Sequence, residues 1–134
     1  MSPGDIDPCT LLTAADLVRV NGGTYPAGVS HTASKGRLCV WQNQSPGESV
    51  TVELVPNGPG LYAALKGSLQ GFSETTITTV ADAAFIARHA SAPSTGGIYV
   101  QDGSTIFTIV YLDGTVPSDA QLVGVALEVV AKLP

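Results

Sequence analysis

Two cysteines, two histidines and a scatter of hydroxyls and carboxylates are the side chains in this 134-residue chain whose types could do chemistry. Cys9 lies in "DPCTLLTAADL" and Cys39 in "RLCVWQ". They form an even, isolated pair, with no C-x-x-C and no Cys/His cluster. A zinc centre fails on both ligand number and spacing. Two buried thiols and a disulfide both fit the pattern. His31 lies in a Gly/Ser/Thr-rich segment and His89 at the end of an expected strand. Serine, histidine and aspartate all occur, but no G-x-S-x-G elbow does, and "GSLQG" (67–71) does not match it. There is no H-E-x-x-H, and no carboxylate pair carries a signature. Both histidines therefore read as surface or loop residues, and no residue is assigned a catalytic or metal-binding role. "GGTYPAG" and "PNGPG" lack the lysine of a phosphate loop, so their glycines serve turns and no cofactor is indicated.

The elements that must position these residues follow from caps and periodicity. "TAAD" (Thr13 to Asp16) fits a capping box, and the helix it opens runs to about Val20 before Asn21-Gly22-Gly23. Residues 22–36 are rich in Gly, Ser, Thr and Pro and read as a long loop. "RLCVWQN" (37–43) and "SVTVELV" (49–55) read as strands. In the second, Val50, Val52 and Leu54 alternate with Ser49, Thr51 and Glu53, as in a half-buried antiparallel strand. "LYAALKGSLQGF" (61–72) reads as a helix with Leu61, Leu65, Leu69 and Phe72 on one stripe. Residues 84–90 read as a strand. "IYVQ" and "STIFTIVYL" flank Asp102-Gly103, a type I′ hairpin pair expected to have positive φ at both positions. The second arm is apolar on both faces, which marks a central strand. Ser118 and Gln121 form another capping box, opening a final helix over 119–132.

The order is α-β-β-α-β-β-β-α. This predicts an α+β domain: an antiparallel sheet of about five strands with helices packed mainly on one face. At this length a single domain is expected over 7–134, with 1–6 a disordered or added N-terminal segment. Hydrophobic residues make up 44% and charged residues 13%, enough to build a core without a metal. A net charge of −5 with six basic residues argues against nucleic acid and against an anionic membrane surface. No apolar run approaches the roughly 20 residues that span a bilayer, so no membrane insertion is expected. "MSPGDIDP" has neither a basic n-region nor an apolar h-region. Two readings stand: a cytosolic protein, or a chain that begins after a removed export segment with Met1 added.

"DPCTLLTAADL", then "CVW" about thirty residues on, then "ADAAF", "IYVQDGSTIFTIVY" and a C-terminal amphipathic helix resemble a family of actinobacterial secreted proteins and lipoproteins catalogued as a domain of unknown function. The likeness runs from Asp7 to Leu133 and is most specific at Asp7-Pro8-Cys9 with Cys39-x-Trp41. Ala81 stands where that pattern has glycine, and the lipid-attachment cysteine of the lipoprotein members is absent. The resemblance implies an exported domain with a Cys9–Cys39 bridge and implies no activity. Such a bridge closes a loop of about 30 residues, worth roughly 3–4 kcal/mol in the chain-entropy model. Trp41, two residues after Cys39, shares its strand face and would pack against the bridge.

The expected function is an exported, non-catalytic binding or interaction domain for an unknown protein or small molecule. The alternatives are a small apolar-ligand carrier, with a cavity between sheet and helices, and an enzyme with a site near the 22–36 loop and His89. The candidate contact residues are Tyr25, His31, Lys35, Arg37, Trp41 and His89. The pattern sets no oligomeric state.

Overall fold

The computed structural model describes residues 6–32, 36–43, 47–56, 58 and 60–134. Near its start, the Asp7 carboxylate accepts a hydrogen bond from the Cys9 N–H at 3.0 Å and caps a 3-10 turn at Pro8–Thr10. Proline suits the opening of such a turn because its missing N–H is not needed there. Thr13 caps the helix α1 (Ala14–Asn21). Its hydroxyl accepts from the Asp16 N–H at 3.2 Å, and the Asp16 carboxylate accepts from the Thr13 N–H at 2.9 Å. Gly22, at φ 75°, ends the helix in the left-handed region. Ser118 and Gln121 repeat the reciprocal cap at the start of α3 (Asp119–Lys132).

Seven strands form one antiparallel sheet. They are β1 (Val29–Thr32), β2 (Arg37–Gln42), β3 (Ser49–Val55), β4 (Phe72–Ile77), β5 (Ala83–His89), β6 (Thr95–Asp102) and β7 (Thr105–Leu112), with α2 (Leu61–Ser68) between β3 and β4. Their spatial order is β1-β2-β3-β7-β6-β5-β4. The sheet is thus two meanders, β1–β3 and β4–β7, joined where β3 pairs with β7.

The α+β class holds, but the strand number and the order differ from expectation. The observed order is α-β-β-β-α-β-β-β-β-α, and the sheet has seven strands rather than about five. The two extra strands are its two edges. β1 lies inside the segment read as a loop, and all four of its residues are exposed. β4 begins with Phe72, which had been expected to end a helix, and its four central residues are exposed. An edge strand held by one ladder, with little burial, need not show apolar alternation, so periodicity passes over it. The hairpin is also shifted by one residue. Asp102 pairs with Thr105, leaving Gly103 and Ser104 as the turn. Gly103 has φ 61° and neither Asp102 nor Ser104 has a positive φ, which is the type II′ pattern rather than I′.

The first sheet face carries Cys39, Trp41, Val52, Leu54, Phe107, Ile109 and Tyr111. It packs against Leu17 and Val20 of α1 and Leu122, Val125 and Val129 of α3. The second face carries Phe85, Ala87 and Tyr99, which receive Tyr62, Leu65 and Leu69 from α2 and its end. Two helices thus lie on one face and the third on the other. β7 is the middle strand, but its coverage is uneven: Ile106 and Thr108 are buried on the second face, whereas Leu112 is 42% exposed. Ile6 is buried in the main core, so the N-terminal segment expected to be disordered contributes at least this residue to the fold.

Candidate functional site

Cys9 and Cys39 form the disulfide, with Cα atoms 5.1 Å apart. The bridge ties the 3-10 turn ahead of α1 to the middle of β2. Cys39 is fully buried and Trp41, on the same face of β2, nearly so. Gly28 lies over both: a Cβ there would stand 2.4 Å from the Cys39 sulfur and 2.7 Å from the Trp41 indole nitrogen. Only a residue without a side chain lets the chain entering β1 approach this closely.

The candidate contact residues do not gather in one place. His31 pairs with Leu38, and both project from the second face; Arg37 pairs with Thr32 and Leu54 and projects from the first. Arg37 donates to the Ile6 carbonyl at 3.4 Å. Trp41 belongs to the core. The Tyr25 hydroxyl donates to Asn21 Oδ1 at 2.7 Å, while Asn21 Nδ2 donates to the carbonyls of Ser49 and Asp113 at 3.2 and 3.3 Å. Tyr25 therefore closes the end of α1, and burial pushes its phenol pKa up. Lys35 lies outside the described residues. His89 meets Phe72 edge-on at 5.2 Å between ring centroids, and its Nδ1 lies 3.1 Å from the Ser91 hydroxyl. It sits on β5, five strand steps from β1, which at about 4.8 Å per step places the two histidines roughly 24 Å apart across the sheet. One small-molecule site cannot use both.

Two hollows on the described surface lie outside the space between sheet and helices. One, of about 400 Å³, is lined by Ile6, Thr10 and Leu11 with Lys132, Leu133 and Pro134. The other, of about 250 Å³, is lined by Pro26, Ala27, Val29, His31, Val40 and Gln42. The second opens onto the half of the second face that α2 leaves bare.

That bare half is what the sequence reading missed. Strand register arranges it in rows. His31, Leu38 and Glu53 stand side by side, and Val29, Val40 and Thr51 form the next row. Of their β7 neighbours, Thr108 is buried and Val110 packs against the cluster that α2 covers. Val29 is 57% exposed; Leu38, Val40, Thr51, Glu53 and Val110 are half-buried. The alternation in β3 was visible in the sequence. Which of its residues would remain uncovered depended on where α2 came to rest.

Two arginines make ion pairs between elements. Arg19 bridges Asp16 on α1 to Glu128 on α3. Burial alone would raise the Asp16 carboxyl. The Thr13 N–H and Arg19, which also holds Glu128 beside it, outweigh that and bring its pKa down to about 2. Arg88 contacts Asp119 at the start of α3 at 2.7 Å and donates to the Tyr111 hydroxyl at 2.7 Å. That hydroxyl donates to the Pro93 carbonyl at 3.0 Å. Among the described residues no group of three or more His, Cys, Asp or Glu side chains could hold a metal ion. Among the described residues no helix is long and apolar enough to cross a membrane.

Comparison with protein-family models, with curated proteins and with solved structures gave no match.

Proposed function

We propose that this chain is an exported, non-catalytic binding domain that meets a protein partner through the uncovered half of its second sheet face. The observation that carries the reading is the row of exposed Val29 with half-buried Val40 and Thr51, which lies outside the half that α2 covers. A half-apolar sheet face in water is costly to leave bare, and such patches mark contact surfaces. The disulfide supports export, because such bridges persist in oxidising compartments. So does the resemblance of the Asp7-Pro8-Cys9 and Cys39-x-Trp41 pattern to secreted actinobacterial proteins. The separation of His31 from His89 speaks against the enzyme reading, since no single substrate could lie against both.

The test is a paired substitution. Val40→Lys places a charge in the middle of the bare face, whereas Leu127→Lys alters an exposed position on α3. Partner capture lost in the first variant and kept in the second supports the reading. A reproducible turnover that disappears in His31→Ala or His89→Ala overturns it.

A further inference from the structure

The uncovered half-face is complementary to itself. His31 and Glu53 lie in one row, on β1 and β3, with Leu38 of β2 midway between them. Neither is in an ion pair among the described residues. A two-fold axis running along β2, in the plane between two facing sheets, sets Leu38 against Leu38 and Val40 against Val40. The same rotation sets each His31 against Glu53 of the other copy, twice. Resting on the reading of this face as a contact surface, we propose that the partner is a second copy of this chain, in a symmetric dimer packed sheet on sheet.

The position of α2 fits this occupant. Face-to-face sheets lie about 10 Å apart, which is also the thickness of a helix layer. α2 stands on the second face over Phe85, Ala87 and Tyr99 of β5 and β6. With the axis on β2, the β1 of the other copy falls over β3, two strand steps short of β6. At about 4.8 Å per step, α2 then lies roughly one helix diameter beyond that edge. Each α2 shields the exposed β1 of its neighbour, an edge that carries none of the lysine, glutamate or proline that commonly protects edges. A closed two-fold contact of this kind leaves no surface for further growth.

The contact is small. Three strands, β1 to β3, by about four residues span roughly 14 by 14 Å, well short of the ~800 Å² per partner of a standard stable interface. The net charge of −5 on each copy also opposes association. The dimer is therefore concentration-dependent and strengthens as salt screens that repulsion.

Sedimentation equilibrium on the oxidised full chain, from micromolar to millimolar concentration, tests this directly. Wild type should pass from monomer to dimer. His31→Glu should weaken self-association about tenfold or more, because it sets two glutamates opposite one another twice, and Glu53→Lys should weaken it by removing the carboxylate that faces each imidazole. An equimolar mixture of these two variants should recover association as a mixed dimer, since one opposing pair is then the introduced glutamate with the introduced lysine, the other is the original His31 with Glu53, and no glutamate faces a glutamate. In wild type, amide exchange at residues 29–32 should slow as concentration rises, a readout that needs no variant. A chain that stays monomeric throughout overturns the proposal. So does a dimer indifferent to the two substitutions or to their mixing. A monomeric chain that still loses a different protein partner on Val40→Lys leaves the contact-face reading standing while this proposal falls.

Discussion

Ala81 adopts φ 50°, a left-handed conformation that a β-carbon disfavours. The cost for an L-residue there is about 1–2 kcal/mol. Glycine removes it but adds about 0.5–1 kcal/mol of unfolded-chain entropy. Ala81→Gly should therefore stabilise the protein modestly, by up to about 1 kcal/mol, and raise the melting temperature by a few degrees. An unchanged or lowered melting temperature would show that the position is not strained. Asp16 gives a second residue-level expectation. Its pKa in the folded chain, about 2, lies below its ordinary value of 3.8. A depressed carboxyl contributes stability that is complete above its unfolded pKa and is lost as pH falls through the folded one. The contribution should vanish between roughly pH 4 and pH 2. Thermal melts of wild type and Asp16→Asn should converge over that interval. A difference that persists at the acid end would assign the effect to packing rather than to the charge.

At the scale of elements, α1 and α3 were legible because their information is local. Each begins with a reciprocal cap between residues three apart, and no distant contact is needed to recognise it. β2, β3, β5 and the arms of the last hairpin were legible for a related reason, namely burial strong enough to imprint a pattern. β1 and β4 were not, because Ser30, His31 and Thr32, like Ser73 to Thr76, face water in the folded chain. The hairpin shows a subtler limit: "DG" announces a turn, but Asp102 keeps its pairing with Thr105 and the turn begins one residue later. The candidate site suffered most. Tyr25, His31, Arg37 and Trp41 are close in sequence, yet register sends His31 to one face and Arg37 and Trp41 to the other. Proximity along a strand says little about proximity in space when successive side chains alternate between faces. β1 itself yields a prediction. Gly28→Ala would push a methyl against the Cys39 sulfur and the Trp41 indole. It should speed amide exchange across residues 28–32, change the fluorescence of the chain's single tryptophan, and leave exchange in β6 and β7 close to wild type. Unchanged exchange in β1 would mean that the glycine is not needed for the approach.

For the whole molecule, the disulfide acts in two places that experiment can separate. In the unfolded chain it closes the segment from Cys9 to Cys39, a separation of 30 residues, and its loss costs roughly 3–4 kcal/mol by loop entropy. That loss appears at amides that exchange only through global unfolding, here those of the central strands β3, β7 and β6. In the folded chain the bridge fastens the turn at Pro8–Thr10 beneath the segment that leads into β1. Every residue of β1 is exposed, and β2 is its sole ladder partner. Without the bridge, that edge should open in excursions that leave the rest of the sheet intact. Reduction should thus lower protection in the central strands by an amount matching the global stability change. In residues 22–32 the exchange should accelerate through an additional route that denaturant barely affects, because a local opening exposes little surface. The measurement is native-state hydrogen exchange on oxidised and reduced protein over a series of sub-denaturing urea concentrations. If residues 22–32 lose protection only to the extent that the global stability falls, the bridge stabilises through the unfolded chain alone and gives the β1 edge no separate support.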